Sequence, residues 1–128
     1  MMEKSILKRV GRKSVHILSN THETSTDETL IKLLTEKSTR KILSLLQDKP
    51  TTIIKIAPKC EFSINLIYRR IHELEKLHML YVSGKMDIDN KRKFYYQSKI
   101  KSFDLRFIDG KTCLDIIYHR RFSDNIGS

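Results

Sequence analysis

Several residue types that mark large functional classes are scarce in this chain. It has no tryptophan, two cysteines, two prolines and four glycines in 128 residues, and aromatics make up only 8%. Cys60 and Cys113 stand far apart with no CxxC spacing, which argues against a disulfide scaffold and a structural zinc site. No stretch approaches the roughly 18 apolar residues of a membrane helix. The charged N-terminus is followed by no apolar segment of the kind a signal peptide carries. There is no Gly-rich phosphate loop, no HExxH and no nucleophile elbow, so enzyme chemistry and a bound cofactor are not expected. The five histidines (His16, His22, His72, His78 and His119) show no ligand spacing. Asp87 and Asp89 resemble the start of a metal loop, but the remaining ligands of an EF-hand are missing and no metal is expected. These absences point to a cytoplasmic protein with no small-molecule ligand evident.

What the chain has in excess is positive charge. Lys and Arg number 25 against 15 Asp and Glu, a formal net charge of +10. A small protein this basic meets a polyanion. Nucleic acid is the leading partner class and an anionic membrane surface the second. The charge is uneven: residues 1–50 carry ten Lys/Arg against six Asp/Glu, residues 51–102 eleven against five, and residues 103–128 four of each. The basic character belongs to the first two segments.

The periodicity predicts an α+β chain. Residues 1–26 begin basic (Lys4, Lys8, Arg9, Arg12, Lys13) and end polar, reading as an arm and linker, with a solvated tail or an arm touching DNA as the two readings. Thr26-Asp27-Glu28 opens a helix capped by Thr26 or Asp27, carrying Leu30, Ile31, Leu33 and Leu34. Ser38 is the expected cap of a second helix with Ile42, Leu43, Leu45 and Leu46. Thr51 or Thr52 caps a short third helix, which Pro58 should end or kink. Ser63 caps a longer helix running to about His78. Residues 80–83 and 93–97 read as strands around a polar loop from Gly84 to Arg92. Asp109-Gly110 lies between two alternating runs, a hairpin signal that would set Phe103 opposite Ile116, Leu105 opposite Leu114 and Phe107 opposite Thr112. A helix starting at Thr112 is the alternative. The expected domains are therefore 1–26, 27–99, 100–118 and a tail over 119–128.

At 100° per residue, Ile67, Ile71 and Leu74 fall on one side of the helix after Ser63, with Leu66 and Leu77 at its edge. Asn65, Tyr68, Arg69, His72 and Lys76 gather opposite. Arg69 suits guanine and Asn65 adenine, while Tyr68 reaches a phosphate or a thymine methyl. Base reading is expected from Asn65, Tyr68, Arg69 and His72, and phosphate contact from Ser63, Lys76, Lys85, Lys91, Arg92 and Lys93. The competing reading is a solvated helix face. Phe94, Tyr95 and Tyr96 invite base stacking, but alternating aromatics on a strand are expected to pack on neighbouring helices.

Residues 28–98 resemble the winged helix-turn-helix domain of ArsR-like transcriptional regulators, particularly archaeal ones. The resemblance rests on Ser38 to Leu46, on Ile56-Ala57 through Ser63, on Ile67 to Leu80, and on Lys93-Phe-Tyr-Tyr as the returning wing strand. It implies a winged helix-turn-helix with a basic N-terminal arm and an extra C-terminal β-hairpin, binding double-stranded DNA as a homodimeric, nucleoid-associated regulator. The dimer would form through the first helix, the C-terminal hairpin or both. A winged-helix protein-interaction module of a transcription or chromatin assembly, and an RNA-binding protein, are the alternatives. Glu61 stands where the family often has Gly in the turn. By the same likeness Cys60 takes a core position, as a buried thiol or a redox sensor. Cys113 falls on the polar face of the hairpin, where a dimer disulfide or thiol switch is the functional alternative.

Overall fold

In the computed structural model, which describes residues 11–18 and 25–120, the chain is α+β, with four α-helices and two small antiparallel sheets among the described residues. It divides into two compact units, one over residues 29–99 and one formed by the residues on either side.

The helix α1 (Ser25–Leu34), most of which belongs to the unit over 29–99, starts slightly earlier than expected, so Thr26 and Asp27 lie inside its first turn. Arg40 Nη1 donates to the Thr35 carbonyl at 2.6 Å and closes its C-terminal end. The second helix, α2 (Lys37–Leu45), has Glu36 at its cap position with no side-chain cap bond. Ser38 is therefore not the cap; it is buried in the first turn, where its Oγ accepts from Arg70 Nε at 3.0 Å. Thr52 caps the short helix α3 (Ile53–Ile56), its hydroxyl accepting from the Lys55 amide. Pro58 ends that helix as its ring requires, and Ala57–Lys59 tightens into a 3₁₀ turn. Glu61 is not among the residues with positive φ, so this turn needs no glycine.

Ser63 caps the helix α4 (Ile64–Lys76) by accepting from the Leu66 amide at 3.2 Å. The helix stops two residues before His78, which adopts φ 62°. The His78 amide donates to Glu75 and the Met79 amide to Leu74, a Schellman closure with histidine in the place that favours glycine. Ile67, Ile71 and Leu74 are buried, together with Leu34 of α1, Ile42 of α2 and Leu46 at the C-terminal cap of α2. Full burial of each such side chain is worth about 1.5–3 kcal/mol.

The strands β2 (Leu80–Met86) and β3 (Arg92–Ser98) pair from Leu80↔Ser98 to Met86↔Arg92. The hairpin is longer than expected, because the turn is concentrated at its tip: Asp87 Oδ1 accepts from the Asp89 and Lys91 amides, and Asn90 takes φ 63°. Thr51 exchanges both backbone hydrogen bonds with Tyr96, at 2.9 and 2.8 Å, and so anchors the segment before α3 to β3. The base is closed by the Ser98 amide donating to Leu46 and the Lys99 amide to Met79.

The other unit is a three-stranded sheet in the order β1 (Gly11–Leu18), β5 (Lys111–Tyr118), β4 (Ile100–Ile108). Asp109 and Gly110 have φ of 51° and 78°, as a type I′ turn needs. The pairs Phe103↔Ile116, Leu105↔Leu114 and Phe107↔Thr112 form, and Thr112 begins no helix. One reading is corrected here. Gly11–Leu18, within the stretch read as an arm, is a strand paired with β5 from Gly11↔Tyr118 to Leu18↔Lys111; the rest of that stretch up to 24, and the tail beyond 120, lie outside the described residues. Cys113 lies on the hairpin face of Asp104, Arg106 and Asp115, as its phase predicts, and is buried there.

Candidate nucleic-acid interface

The helix α4 separates its faces as its phase requires. Asn65, Tyr68, Arg69, His72 and Lys76 are all exposed, opposite the buried Ile67, Ile71 and Leu74. Arg69 makes no ion pair or hydrogen bond with a described residue. Its neighbour Arg70, 100° round the helix, is committed to the fold: besides Ser38 it bonds Glu73 at 2.8 Å and approaches Glu36 at 3.7 Å. Ser63 is exposed at the N-terminal end of α4, with its hydroxyl engaged as the cap.

The hairpin cations fall into different circumstances. Lys91 is exposed in the turn. Arg92 lies over the Phe94 ring at 5.5 Å, and its guanidinium crosses Gly84, where a Cβ would sit 2.8 Å from Nε. The glycine thus makes room for an arginine folded along the strand. Lys85 lies over the Tyr95 ring at 5.3 Å, on the other face of the hairpin. Lys93 pairs with Asp87 at 3.2 Å, so its charge is partly answered within the hairpin. The Lys91 amide above all holds the Asp87 carboxyl below its ordinary value; desolvation opposes it, and Lys93 and the Asp89 amide add to the lowering.

The aromatics differ from expectation. Phe94 is 48% exposed, while Tyr95 and Tyr96 are half-buried. Phe94 stays out because it shares the hairpin face of Val82, Met86 and Arg92, which is exposed. Burial pushes the Tyr96 phenol up, and Glu75 and Tyr68 add to the effect. Cys60 is half-buried rather than buried; burial raises its thiol, and Lys41 acts in the opposite direction.

A groove of about 330 Å³ joins these elements. Thr52 to Lys55 form one wall, Arg92 to Tyr96 the other, and Tyr68 lies between. The structure thus brings Tyr68, Arg92 and Lys93 together with Lys55, which the sequence reading missed. Its only sequence signal is that it is the one charged residue of α3, three after the cap. Lys85 and Lys91 are not part of the groove, and Lys76 lines a second groove with Lys32, Glu36, Arg70 and Glu73. Among the described residues no cluster of His, Cys, Asp or Glu could hold a metal ion, and no helix is long and apolar enough to cross a membrane. No family model matches the chain, and searches of curated proteins and of solved structures return no match.

Proposed function

We propose that the protein is a winged helix-turn-helix regulator that binds duplex DNA as a homodimer. The helix α4 is its recognition helix in the major groove, and the β2–β3 hairpin is the wing lying along the backbone. The observation that carries this reading is the shared groove: Tyr68 of the donor-rich helix face lies beside Lys55, Arg92 and Lys93, so cations flank the base-reading surface. The element order from α1 to β3, the Thr51–Tyr96 bridge and the likeness of residues 28–98 to ArsR-like regulators support it further. Asn65, Tyr68, Arg69 and His72 read bases. Lys55, Lys91 and Arg92 hold phosphates, with Lys93 weakened in that role by Asp87.

The test is binding to duplex DNA across a salt series, after in vitro selection of bound sequences. Contacts from six to eight cations give log K falling against log salt with a slope of roughly −5 to −7. Dimer half-sites lie about one helical turn apart. An absence of duplex binding at low salt refutes the reading. It would favour a protein-interaction module instead, for which Met86, Ile88 and Phe94, exposed by 62%, 102% and 48%, offer an apolar surface on the hairpin. Preference for single-stranded RNA over duplex would favour the RNA-binding alternative.

A further inference from the structure

The strand β4 is terminal in its sheet, and among the described residues no strand pairs with its outer edge. Such an edge presents main-chain N–H and C=O groups ready to join another chain. Which groups point outward follows from the turn. The Ile108 carbonyl accepts from the Lys111 amide across the two-residue loop, so Ile108↔Lys111 is a hydrogen-bonded pair. Antiparallel pairs alternate. Arg106 and Asp104 therefore bond to β5, and the N–H and C=O of Phe103, Leu105 and Phe107 turn to the free edge. Leu105 and Phe107 are 37% and 74% exposed.

The side chains along this edge form a palindrome. Phe103-Asp104-Leu105-Arg106-Phe107 reads apolar, acidic, apolar, basic, apolar. Laid antiparallel on a second copy about Leu105, Leu105 meets itself, Phe103 meets Phe107, and Asp104 meets Arg106. Every outward-turned residue then sits in a hydrogen-bonded pair that exchanges two N–H···O bonds. Neighbouring registers that keep outward residues opposed set Asp104 against Asp104, or Arg106 against Arg106, and like charges directly opposite are destabilising. Arg106 already touches Asp104 at 3.4 Å and Asp115 at 3.0 Å, yet Arg106 and Asp104 remain 50% and 67% exposed, leaving both open to a second contact across the axis.

We infer that two copies of the chain pair edge to edge through β4, antiparallel about Leu105. This rests on the homodimer part of the function proposed above and names its surface; the two-fold makes the contact self-complementary and closed. The experiment uses the full chain without DNA. Sedimentation gives a two-chain mass for the wild type. Leu105→Pro, which removes an outward amide that β5 does not use, weakens association at least tenfold. Leu105→Cys forms a disulfide-linked dimer on mild oxidation, while the wild type, with Cys60 and Cys113 alone, does not. Phe103→Cys does not link to itself, because the two copies of residue 103 lie about 13 Å apart along the strands, whereas an equal mixture of Phe103→Cys and Phe107→Cys does. The inference is overturned if Leu105→Cys links no better than the wild type, or if Phe103→Cys links to itself as readily. The cross-link arm stands even if Leu105→Pro fails to fold. Cross-linking at 105 without duplex binding would sink the regulator and leave this pairing; duplex binding by a two-chain complex without the cross-link would do the reverse.

Discussion

Arg69 and Arg70 are adjacent in sequence and opposite in consequence, and their alanine variants should separate completely. Arg70 is 15% exposed and spans from α4 to α2. Replacing it with alanine removes the donor to the hydroxyl of Ser38, a residue only 4% exposed. A buried polar group left unpaired costs about 1–3 kcal/mol. Loss of the Glu73 pair, three residues along the helix, adds about 0.2–0.5 kcal/mol. The contact with Glu36, at 3.7 Å and half-exposed, adds little. Arg70→Ala should therefore lose about 2 kcal/mol. With a urea slope of about 1–2 kcal/mol per molar for a chain of this size, the midpoint falls by roughly 1–2 M.

Arg69→Ala touches no fold contact with a described residue and should leave that midpoint unchanged. It should instead weaken duplex binding by about 1–3 kcal/mol and relax specificity at one base pair. The chain has no tryptophan, so unfolding is followed by far-UV circular dichroism. Equal midpoints for the two variants would refute the assignment of Arg70. Equal weakening by Arg69→Ala on every DNA sequence would refute its reading role.

Three further outcomes follow from individual residues. His78→Gly should stabilise the unit over 29–99 by about 1 kcal/mol in urea melts, because a side-chain-bearing residue at φ 62° carries a cost glycine avoids. Thr39→Val should raise the unfolding free energy by about 1 kcal/mol, since the Thr39 hydroxyl is fully buried and makes no hydrogen bond among the described residues; a loss of stability would mean that it has a partner. Asp87 has a pKa depressed in the fold, so its contribution is present above the unfolded carboxylate range and is lost as pH falls through the folded value. The Asp89 and Lys91 amides should then exchange faster with solvent in acid, and Asp87→Ala should show that fast exchange already at neutral pH.

The parts of the fold that could be read in advance are those whose signal is local. Ser63 with the Ile67, Ile71, Leu74 period placed both faces of α4, because a cap and a helical phase are set within one turn of chain. Asp109-Gly110 set the β4–β5 register, because a two-residue loop leaves no other. The Ser38 cap signal fails for a non-local reason: its hydroxyl accepts from Arg70, 32 residues away, and the helix starts without a side-chain cap.

Where the reading failed, a partner distant in sequence decided the outcome. Gly11–Leu18 pairs with Lys111–Tyr118, about a hundred residues on, and nothing within either segment names the other. Arg12 and Lys13 made the stretch look like a solvated arm, although strand pairing requires backbone groups and tolerates charge in the side chains. Cys113 keeps the hairpin face it shares with Arg106, Asp104 and Asp115, but it is buried there. The candidate interface repeats the pattern. The exposed face of α4 was legible as a phase, but the company it keeps was not. Lys55 enters because the Thr51–Tyr96 bridge draws the start of α3 against β3, and Lys93 recedes because the turn sets Asp87 beside it. An outward cation becomes a phosphate contact only where no carboxylate reaches it first, so Lys91→Ala should weaken duplex binding more than Lys93→Ala. The Asp87→Ala variant should make the two lysine substitutions equal; if Lys93→Ala remains the milder one in that background, Asp87 is not what restrains it.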